Sequence, residues 1–163
     1  MTNTIVSDAG PLITLEKMND GFSFIKKLYE KIIIPAAVLR EVSESGFSNP
    51  LEYLESYQIE NLVEIKNVKR TINIPEIERL DEGEKEAISL AQQLNLPLLI
   101  EETLGRKIAL SIGIKISGIA GQIIKAQRNQ LISPQEAKYK LEEIYQAGRI
   151  NRKIYTALLE SLS

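Results

Sequence analysis

The chain has 163 residues, of which 44% are hydrophobic and 26% charged, and its formal net charge is −2. It contains no cysteine and no histidine, which excludes disulfide frameworks, thiolate nucleophiles, zinc fingers and Ser-His-Asp hydrolysis. Polar chemistry must therefore use Asp, Glu, Lys, Arg, Tyr, Ser or Thr, and any bound metal must be a hard ion held by oxygen.

The length and hydrophobic content are sufficient for one compact domain with its own core. The sequence has no apolar run of about eighteen residues, so we expect no transmembrane helix. Met1-Thr2-Asn3 precedes a strand rather than a basic and then apolar leader, so we expect no signal peptide and a cytoplasmic protein. The pI near 5.4 indicates that any nucleic acid would be held by local basic patches.

Strand and helix patterns alternate in the first half of the chain. The predicted elements are a strand at 4–7, a turn and helix from Asp8, a strand at 32–34, a helix at 36–42, a loop at 43–50, a short helix at 51–57 and a strand at 62–65. Pro35 ends the second strand and suits the first turn of the helix after it. Residues 66–79 are polar and irregular, and Pro75 interrupts them.

The second half continues the alternation and ends in helices only. The predicted elements are a helix from Asp81 to Asn95, a strand at 98–100, a helix at 104–111, a strand at 114–116, and helices at 119–129, 134–147 and 151–162. Ser133 and Pro134 provide an N-cap and a first helical residue, and Gly148 ends that helix. The pattern predicts an α/β fold, a parallel β-sheet flanked by helices on both faces, with a C-terminal helical extension.

Acidic residues follow two of the predicted strands. Asp8 follows the first strand, and Glu101 and Glu102 follow the strand at 98–100. If the two strands are neighbours, these carboxylates converge at the edge of the sheet where α/β proteins bind ligands. Like charges at such short range repel, and a divalent cation removes that repulsion. The sequence therefore predicts a carboxylate pocket for Mg²⁺ or Mn²⁺.

Each acid also has a structural interpretation. An Asp before a helix is most often an N-cap, and Asp8 by itself fits that role. Glu41, Glu84 and Glu86 on helices are usually solvated charges. Glu101 and Glu102 at a helix start can simply complement the helix dipole. Only the combination indicates a functional site.

The arrangement resembles a PIN domain, and in particular the prokaryotic DUF3368 branch, which includes VapC-like toxin ribonucleases. The residues that carry the resemblance are Ile5-Val6-Ser7-Asp8-Ala9-Gly10-Pro11-Leu12-Ile13, Ile34-Pro35-Ala36-Ala37-Val38 with Glu41-Val42, Leu80-Asp81-Glu82-Gly83-Glu84-Lys85-Glu86-Ala87-Ile88, Leu99-Ile100-Glu101-Glu102 with Gly105-Arg106, Gly113, and Ser117-Gly118-Ile119-Ala120-Gly121. The resemblance covers about residues 4–145. It implies a single PIN-like domain over 1–163, with a core at 4–130 and C-terminal helices at 131–163.

The resemblance implies a divalent-metal-dependent endoribonuclease, a hydrolase of RNA phosphodiester bonds. Asp8, Glu41 and Glu86 match the first three acids of the family, and Glu102 matches the fourth, with Glu101 as a substitute. Asp8 and the fourth acid would bind Mg²⁺ or Mn²⁺ directly, and Glu41 and Glu86 would complete the site, partly through water. Ser7, Arg106 and Ser117 would contact substrate phosphate or water. The implied partners are RNA, a small antitoxin protein and a second copy of the chain in a homodimer.

Two alternatives remain open. The family usually has Asp at the fourth acid, whereas this chain has Glu101-Glu102, and the later loop has Gly118-Ile119 instead of Gly-Thr. With the acidic pI, these differences fit a PIN scaffold that is catalytically inactive and acts as a protein-interaction module. A phosphatase of another α/β fold would require a second Asp two residues after Asp8, where this chain has Gly10.

Overall fold

The computed structural model describes residues 3–162. The prediction about a leader at Met1 and Thr2, and both ends of the predicted 1–163 range, lie outside the described residues. The described strands are β1 (Thr4–Ser7), β2 (Lys31–Ile34), β3 (Val63–Ile65), β4 (Leu98–Leu99) and β5 (Ile116–Ser117). All neighbouring strands are parallel, in the order β3-β2-β1-β4-β5.

Helices connect and cover these strands. The described helices are α1 (Ala9–Glu16), α2 (Gly21–Ile25), α3 (Ala36–Ser43), α4 (Pro50–Ser56), α5 (Glu82–Leu94), α6 (Thr103–Ser111), α7 (Ile119–Arg128), α8 (Pro134–Gln146) and α9 (Arg152–Ser161). The predicted α/β architecture with a C-terminal helical extension is confirmed. Between residues 3 and 162, no helix combines the length and the apolar character needed to cross a membrane.

The central strands are apolar because helices cover both faces of the sheet. In β1 and β2 every residue after the first is buried, which is the continuous apolar pattern of buried parallel strands. The chain passes from β1 to β2 on one side of the sheet and returns to β4 on the other. The order therefore reverses at the gap between β1 and β4, which is the position where ligands bind in open α/β sheets.

Three local predictions differ from the structure. Within the segment predicted to be irregular, Pro75–Arg79 forms a short 3₁₀ helix. The strand predicted at 114–116 is observed as β5 at Ile116–Ser117, because Gly113 turns at φ +83° after α6 and the next residues cross back to the sheet. Helix α2 is absent from the predicted elements, since five residues are too few for a clear period. Its first residue, Gly21, lies so close to the Leu15 carbonyl that a Cβ at this position would clash with that oxygen.

Candidate acidic site

Asp8 lies at the carboxyl end of β1 and precedes α1, but it does not cap that helix. The side chain makes no capping hydrogen bond, it is only 5% exposed, and its Oδ1 atom is buried without a hydrogen-bond partner. Burial raises the pKa of Asp8 to about 7. A backbone hydrogen bond from Ala9 lowers this pKa, and the negative charges of Glu41, Asp81 and Glu102 raise it further. A buried carboxylate without a partner is costly in a folded protein, so Asp8 is the first candidate for a ligand-binding role.

Glu102 follows β4, the strand that pairs with β1. It is the N-cap of α6, and its carboxylate accepts hydrogen bonds from the N–H groups of Leu104 at 3.1 Å and Gly105 at 2.6 Å. Burial opposes ionisation of Glu102, but these hydrogen bonds and the adjacent Glu84 outweigh it and lower its pKa. The helix terminus thus holds Glu102 as a charged carboxylate, in a fixed orientation close to Asp8.

Glu84 is the third acid of the cluster. It forms a capping box with Asp81 at the start of α5: its N–H donates to Asp81 Oδ1 at 2.8 Å, and its Oε1 accepts from the Asp81 N–H at 3.4 Å. Its Oε2 atom is buried without a hydrogen-bond partner. Burial, reinforced by Glu102 and Asp81, raises the pKa of Glu84 to about 8. Glu84 therefore holds its proton to a higher pH than an exposed glutamate does, beside the carboxylate of Glu102.

Gly105 allows Glu84 and Glu102 to approach each other. A Cβ at this position would lie 3.1 Å from Glu84 Oε2, 3.4 Å from Glu102 Oε2 and 2.6 Å from the Ile100 side chain. Any larger residue would push the carboxylates apart or displace Ile100, so this glycine is needed for the geometry of the acidic cluster.

Glu41 and Asp81 form the outer part of the cluster. Glu41 is exposed on α3, and burial together with the charge of Asp81 raises its pKa. It lies against the Cα of Gly83, where a Cβ would be 2.9 Å from Glu41 Oε1. The same residues, with the exposed Arg40, line an open cavity of about 500 Å³. We call the cluster and this adjoining cavity the acidic crevice. The cavity opens to solvent on the α3 side, next to Arg40, and Asp8, Glu84 and Glu102 are not among its lining residues.

The structure brings three of the four predicted acids together. Asp8, Glu41 and Glu102 are electrostatic neighbours. Glu86 instead has Glu82 and Arg40 as its neighbours; burial and Glu82 raise its pKa. Glu84, which the sequence pattern alone assigns to the solvated surface, takes part in the cluster with Asp81. The D-x-x-E spacing of a capping box was the available signal, because it turns the fourth residue back toward the helix start.

Glu101, predicted as a substitute ligand, is engaged in a separate network. Its Oε1 accepts from Thr14 Oγ1 at 2.7 Å, its Oε2 accepts from the Ile119 N–H at 3.0 Å, and Arg149 Nη2 lies 3.5 Å from Oε1. Arg149 also donates to Thr14 Oγ1 at 2.9 Å and to the Gly10 carbonyl at 3.2 Å. This network neutralises Glu101 and ties the segment after α8 to α1, so Glu101 is occupied by its structural contacts.

The predicted substrate-binding residues lie at different depths. Ser7 is fully buried, and its hydroxyl donates to the Asp8 carbonyl at 2.8 Å, so it supports the strand end rather than contacting solvent. Ser117 is half-buried and donates to the Gly118 carbonyl at 3.0 Å. Arg106 is half-buried and donates to the Ile100 carbonyl at 2.9 Å. The hydroxyls of both serines and Nη1 of Arg106 thus make contacts within the protein.

Loss of Arg149 is expected to destabilise the fold. Arg149→Met removes two hydrogen bonds and the ion pair with the half-buried Glu101, which should lower the free energy of unfolding by about 2 kcal/mol. Urea unfolding followed by circular dichroism measures the change. Arg152→Met, at an exposed position at the start of α9, is the matched control. Equal unfolding midpoints for the two variants would contradict a stabilising role for the network.

The donor set of the cluster fits a hard divalent cation. Asp8 Oδ1 and Glu84 Oε2 are buried oxygens without partners, and carboxylate oxygens are the ligands that Mg²⁺ and Mn²⁺ prefer. Within residues 3–162, no three acidic side chains are arranged to hold a metal ion as they stand. Enclosing an ion would therefore require side-chain rotation, for which the exposed Glu41 has the most freedom.

One family model and two solved structures are similar to this chain. The model of the family DUF3368, described as a PIN domain, matches residues 4–163. A PilT N-terminus domain protein from the archaeon Sulfolobus solfataricus P2 is 19% identical, over 71% of this chain and 86% of that one, with a TM-score of 0.49. A domain of a functionally unknown protein from Methanocaldococcus jannaschii DSM 2661 is 18% identical, over 71% and 90%, with a TM-score of 0.44.

No curated protein matches the sequence. The family match covers nearly the whole chain, including every residue of the acidic cluster. The chain therefore belongs to the DUF3368 family of PIN domains.

Proposed function

We propose that this chain is a divalent-metal-dependent endoribonuclease with Asp8, Glu84 and Glu102 at its centre. PIN domains are usually nucleases and generally use divalent metals. The observation that carries the proposal is the pair of buried carboxylate oxygens without partners, Asp8 Oδ1 and Glu84 Oε2, in two residues that each have Glu102 as an electrostatic neighbour. Such oxygens are destabilising unless a ligand compensates them.

In this proposal Asp8 and Glu102 bind the metal directly. A bound Mg²⁺ or Mn²⁺ would offset the repulsion between the carboxylates, polarise the phosphodiester and lower the pKa of an attacking water. Glu102 is oriented by the N-terminus of α6, so its carboxylate needs little reorganisation. Asp8 becomes a better ligand as it loses its proton, and because its pKa is about 7, metal affinity should rise steeply through neutral pH.

Glu84 keeps a proton near neutral pH, where Asp8, with a pKa of about 7, is also partly protonated. With a pKa of about 8, its carboxyl group can donate a hydrogen bond to Glu102 and release the proton when a cation enters. Glu41 lies at the rim of the crevice, where it can reach an ion through water. Glu86 has Arg40 and Glu82 as neighbours. We therefore propose that Glu86 lies beside the path of the substrate and does not bind the metal.

The substrate would approach from the α3 side. The open cavity beside Glu41 includes Arg40, whose guanidinium can contact phosphate oxygens in a fork geometry. Nη1 of Arg106 donates a hydrogen bond to the Ile100 carbonyl, so Arg106 would attract the substrate phosphate mainly through its positive charge. Because the chain is acidic overall, we expect RNA affinity to depend on these few cations and to fall with salt.

We further propose that the chain acts in the cytoplasm as the toxin of a toxin–antitoxin pair. A small antitoxin could place an Arg or Lys side chain in the crevice, where it would compensate Asp8 and Glu84 as a metal does. A chain with an inactive crevice could still bind such a partner, and the double hydrogen bonding of Glu102 favours that second candidate, a protein-interaction module.

Cleavage of RNA by the purified chain tests the proposal. We expect a mixed RNA substrate to be cut with millimolar Mn²⁺, to remain intact with EDTA, and to be cut again when Mn²⁺ is restored in excess. Asp8→Asn should reduce cleavage to background, because the neutral amide is a poor ligand for a hard cation. If the folded protein, free of any partner, cuts no RNA with Mn²⁺ or Mg²⁺, the interaction module is the better description.

A further inference from the structure

Arg149 connects the C-terminal helices to the edge of the sheet. Helix α8 ends at Gln146, and Gly148, at φ +75°, turns the chain back. The Arg149 N–H then donates to the Ile144 carbonyl at 2.8 Å, which is the bond that closes a Schellman turn. This turn fixes the backbone of Arg149, and its side chain, of which 27% is exposed, makes its hydrogen bonds outside α8.

The guanidinium of Arg149 contacts the segments that follow two neighbouring strands. After β1, its Nη2 donates to the Gly10 carbonyl at 3.2 Å, and its Nε donates to Thr14 Oγ1 at 2.9 Å, one turn further along α1. After β4, the same Nη2 lies 3.5 Å from Glu101 Oε1. A single side chain therefore joins the start of α1 to the turn between β4 and α6.

Both of these segments carry a proposed metal ligand. Asp8 immediately precedes α1, and Glu102 directly follows Glu101. The backbone bonds between the two strands extend as far as the Asp8 N–H, which donates to the Leu99 carbonyl at 2.9 Å. Beyond that bond, Arg149 provides a side-chain connection between the two acidic segments.

Glu101 is the point on the β4–α6 turn where this connection is fixed. Its Oε1 accepts from Thr14 Oγ1 at 2.7 Å, and its Oε2 accepts from the Ile119 N–H at 3.0 Å. The N-cap of α7 is Gly118, which has no side chain to accept that N–H, and a Cβ there would lie 3.3 Å from Glu101 Cγ. Arg149 supplies the positive charge that compensates this half-buried carboxylate.

We propose that Arg149 is a positioning residue that sets the separation of Asp8 and Glu102, which makes the C-terminal helices part of the metal site. The inference rests on the proposed nuclease function, in which these two carboxylates bind the cation. Within residues 3–162, Arg149 has no hydrogen bond or ion pair with either carboxylate and acts through Gly10 and Glu101. Because Mg²⁺ demands near-ideal octahedral geometry, a displacement of either segment weakens binding.

A purely structural role of Arg149 predicts a different result. In that case any substitution that destabilises α8 to a similar degree has the same effect on the site. Leu141→Ala is the matched control, because Leu141 is fully buried on α8 and its truncation removes apolar contacts of that helix but none of the hydrogen bonds of Arg149. Circular dichroism identifies conditions under which every variant is folded.

Binding of Mn²⁺ to the full chain tests the effect on the metal site. The paramagnetic resonance signal of free Mn²⁺ measures the dissociation constant without any cleavage assay. We expect Arg149→Met to weaken binding about tenfold. Arg149→Lys retains the charge, but its single ammonium group cannot contact both segments as the fork of arginine does, so binding should weaken about fivefold.

The control variant should bind Mn²⁺ as wild type does, within about twofold. If wild type binds Mn²⁺ and both Arg149 variants bind it equally well, the positioning role is wrong and the proposed nuclease function stands. A loss in Leu141→Ala as large as that in Arg149→Met would also overturn the positioning role.

Amide hydrogen exchange in EDTA tests the same role without a metal. We expect the N–H groups of Asp8, Leu104 and Gly105 to exchange about tenfold faster in Arg149→Met, through local opening of the two segments. Leu141→Ala should leave these rates unchanged. If wild type binds no Mn²⁺, the proposed nuclease function fails, and the exchange rates still decide the role of Arg149. Unchanged exchange in Arg149→Met would overturn it.

Discussion

Replacing Glu84 by glutamine is expected to reduce metal-dependent RNA cleavage by about 10²-fold, whereas Glu86→Gln should change it by less than about threefold. Both residues lie on α5, and both substitutions remove one carboxylate. The two side chains extend from different sides of α5. Glu84 lies beside Glu102 and has a buried oxygen without a partner, whereas Glu86 has Glu82 and Arg40 as neighbours.

The pair of variants separates a site effect from a folding effect. Glutamine is also favourable at the third position of a helix in a capping box, so Glu84→Gln should retain the start of α5. The initial cleavage rate with saturating Mn²⁺ is the primary measurement, and the shift of melting temperature with Mn²⁺ is the second. Equal losses in the two variants, or a larger loss for Glu86→Gln, would return Glu86 to the centre of the site.

The stability of the metal-free protein is expected to fall as the pH rises. The pKa of Asp8 rises from its ordinary value of 3.8 to about 7 in the fold, mainly through burial, and the pKa of Glu84 rises from 4.5 to about 8. The folded state therefore holds these protons more tightly than the unfolded state. The resulting stabilisation is complete below about pH 4, decreases as the pH approaches the folded-state values, and is lost above about pH 8.

Urea unfolding in EDTA at about pH 5, 7 and 9 measures this loss, to which Asp8 alone should contribute about 3 kcal/mol between the extremes, because its folded-state pKa lies about two units above pH 5. Glu41 also has a raised pKa, mainly through burial, and contributes to the trend. Asp8→Asn isolates the part due to Asp8 and should flatten the profile, whereas Glu60→Gln, at an exposed position, should leave it unchanged. An Asp8→Asn profile as steep as that of wild type would show that Asp8 ionises as an exposed acid does.

Divalent ions should reverse the sign of this dependence. A cation bound to the deprotonated carboxylates stabilises only the folded state, and it competes with protons for the same oxygens. With saturating Mn²⁺, the unfolding free energy should therefore increase from about pH 5 toward about pH 8. The same buffers without EDTA provide this comparison, and a Mn²⁺ effect that is independent of pH would exclude Asp8 as a ligand.

Residues close in sequence determined most of the fold. The apolar runs at Ile5-Val6 and Ile32-Ile33-Ile34, with helical patterns between them, are sufficient to predict a parallel sheet covered on both faces. Helix ends are predicted equally well: Ser133 caps α8, and Asn95, at φ +54°, ends α5. These features depend on contacts within a few residues, so the local sequence specifies them.

The sequence also placed two acids at one edge of the sheet. Asp8 follows β1 directly, Glu102 comes three residues after the end of β4, and the carboxyl ends of parallel strands face the same way. Their proximity then required only that β1 and β4 be neighbours, which the structure confirms. Within the following turn, however, only the structure separates Glu101 from Glu102, because consecutive residues point in different directions and Glu101 meets Thr14 and Arg149 instead.

Only the tertiary structure decided which acids of α5 belong to the cluster and what holds Glu101. Glu84 and Glu86 differ by about 200° around the helix axis, and the side that faces Glu102 depends on how α5 packs on the sheet. Arg149 is 135 residues from Thr14 in the chain, and no local pattern predicts that contact. The sequence by itself determined the elements and the strand-end acids, since these follow from short-range preferences; helix orientation and long-range ion pairs exist only in the folded chain.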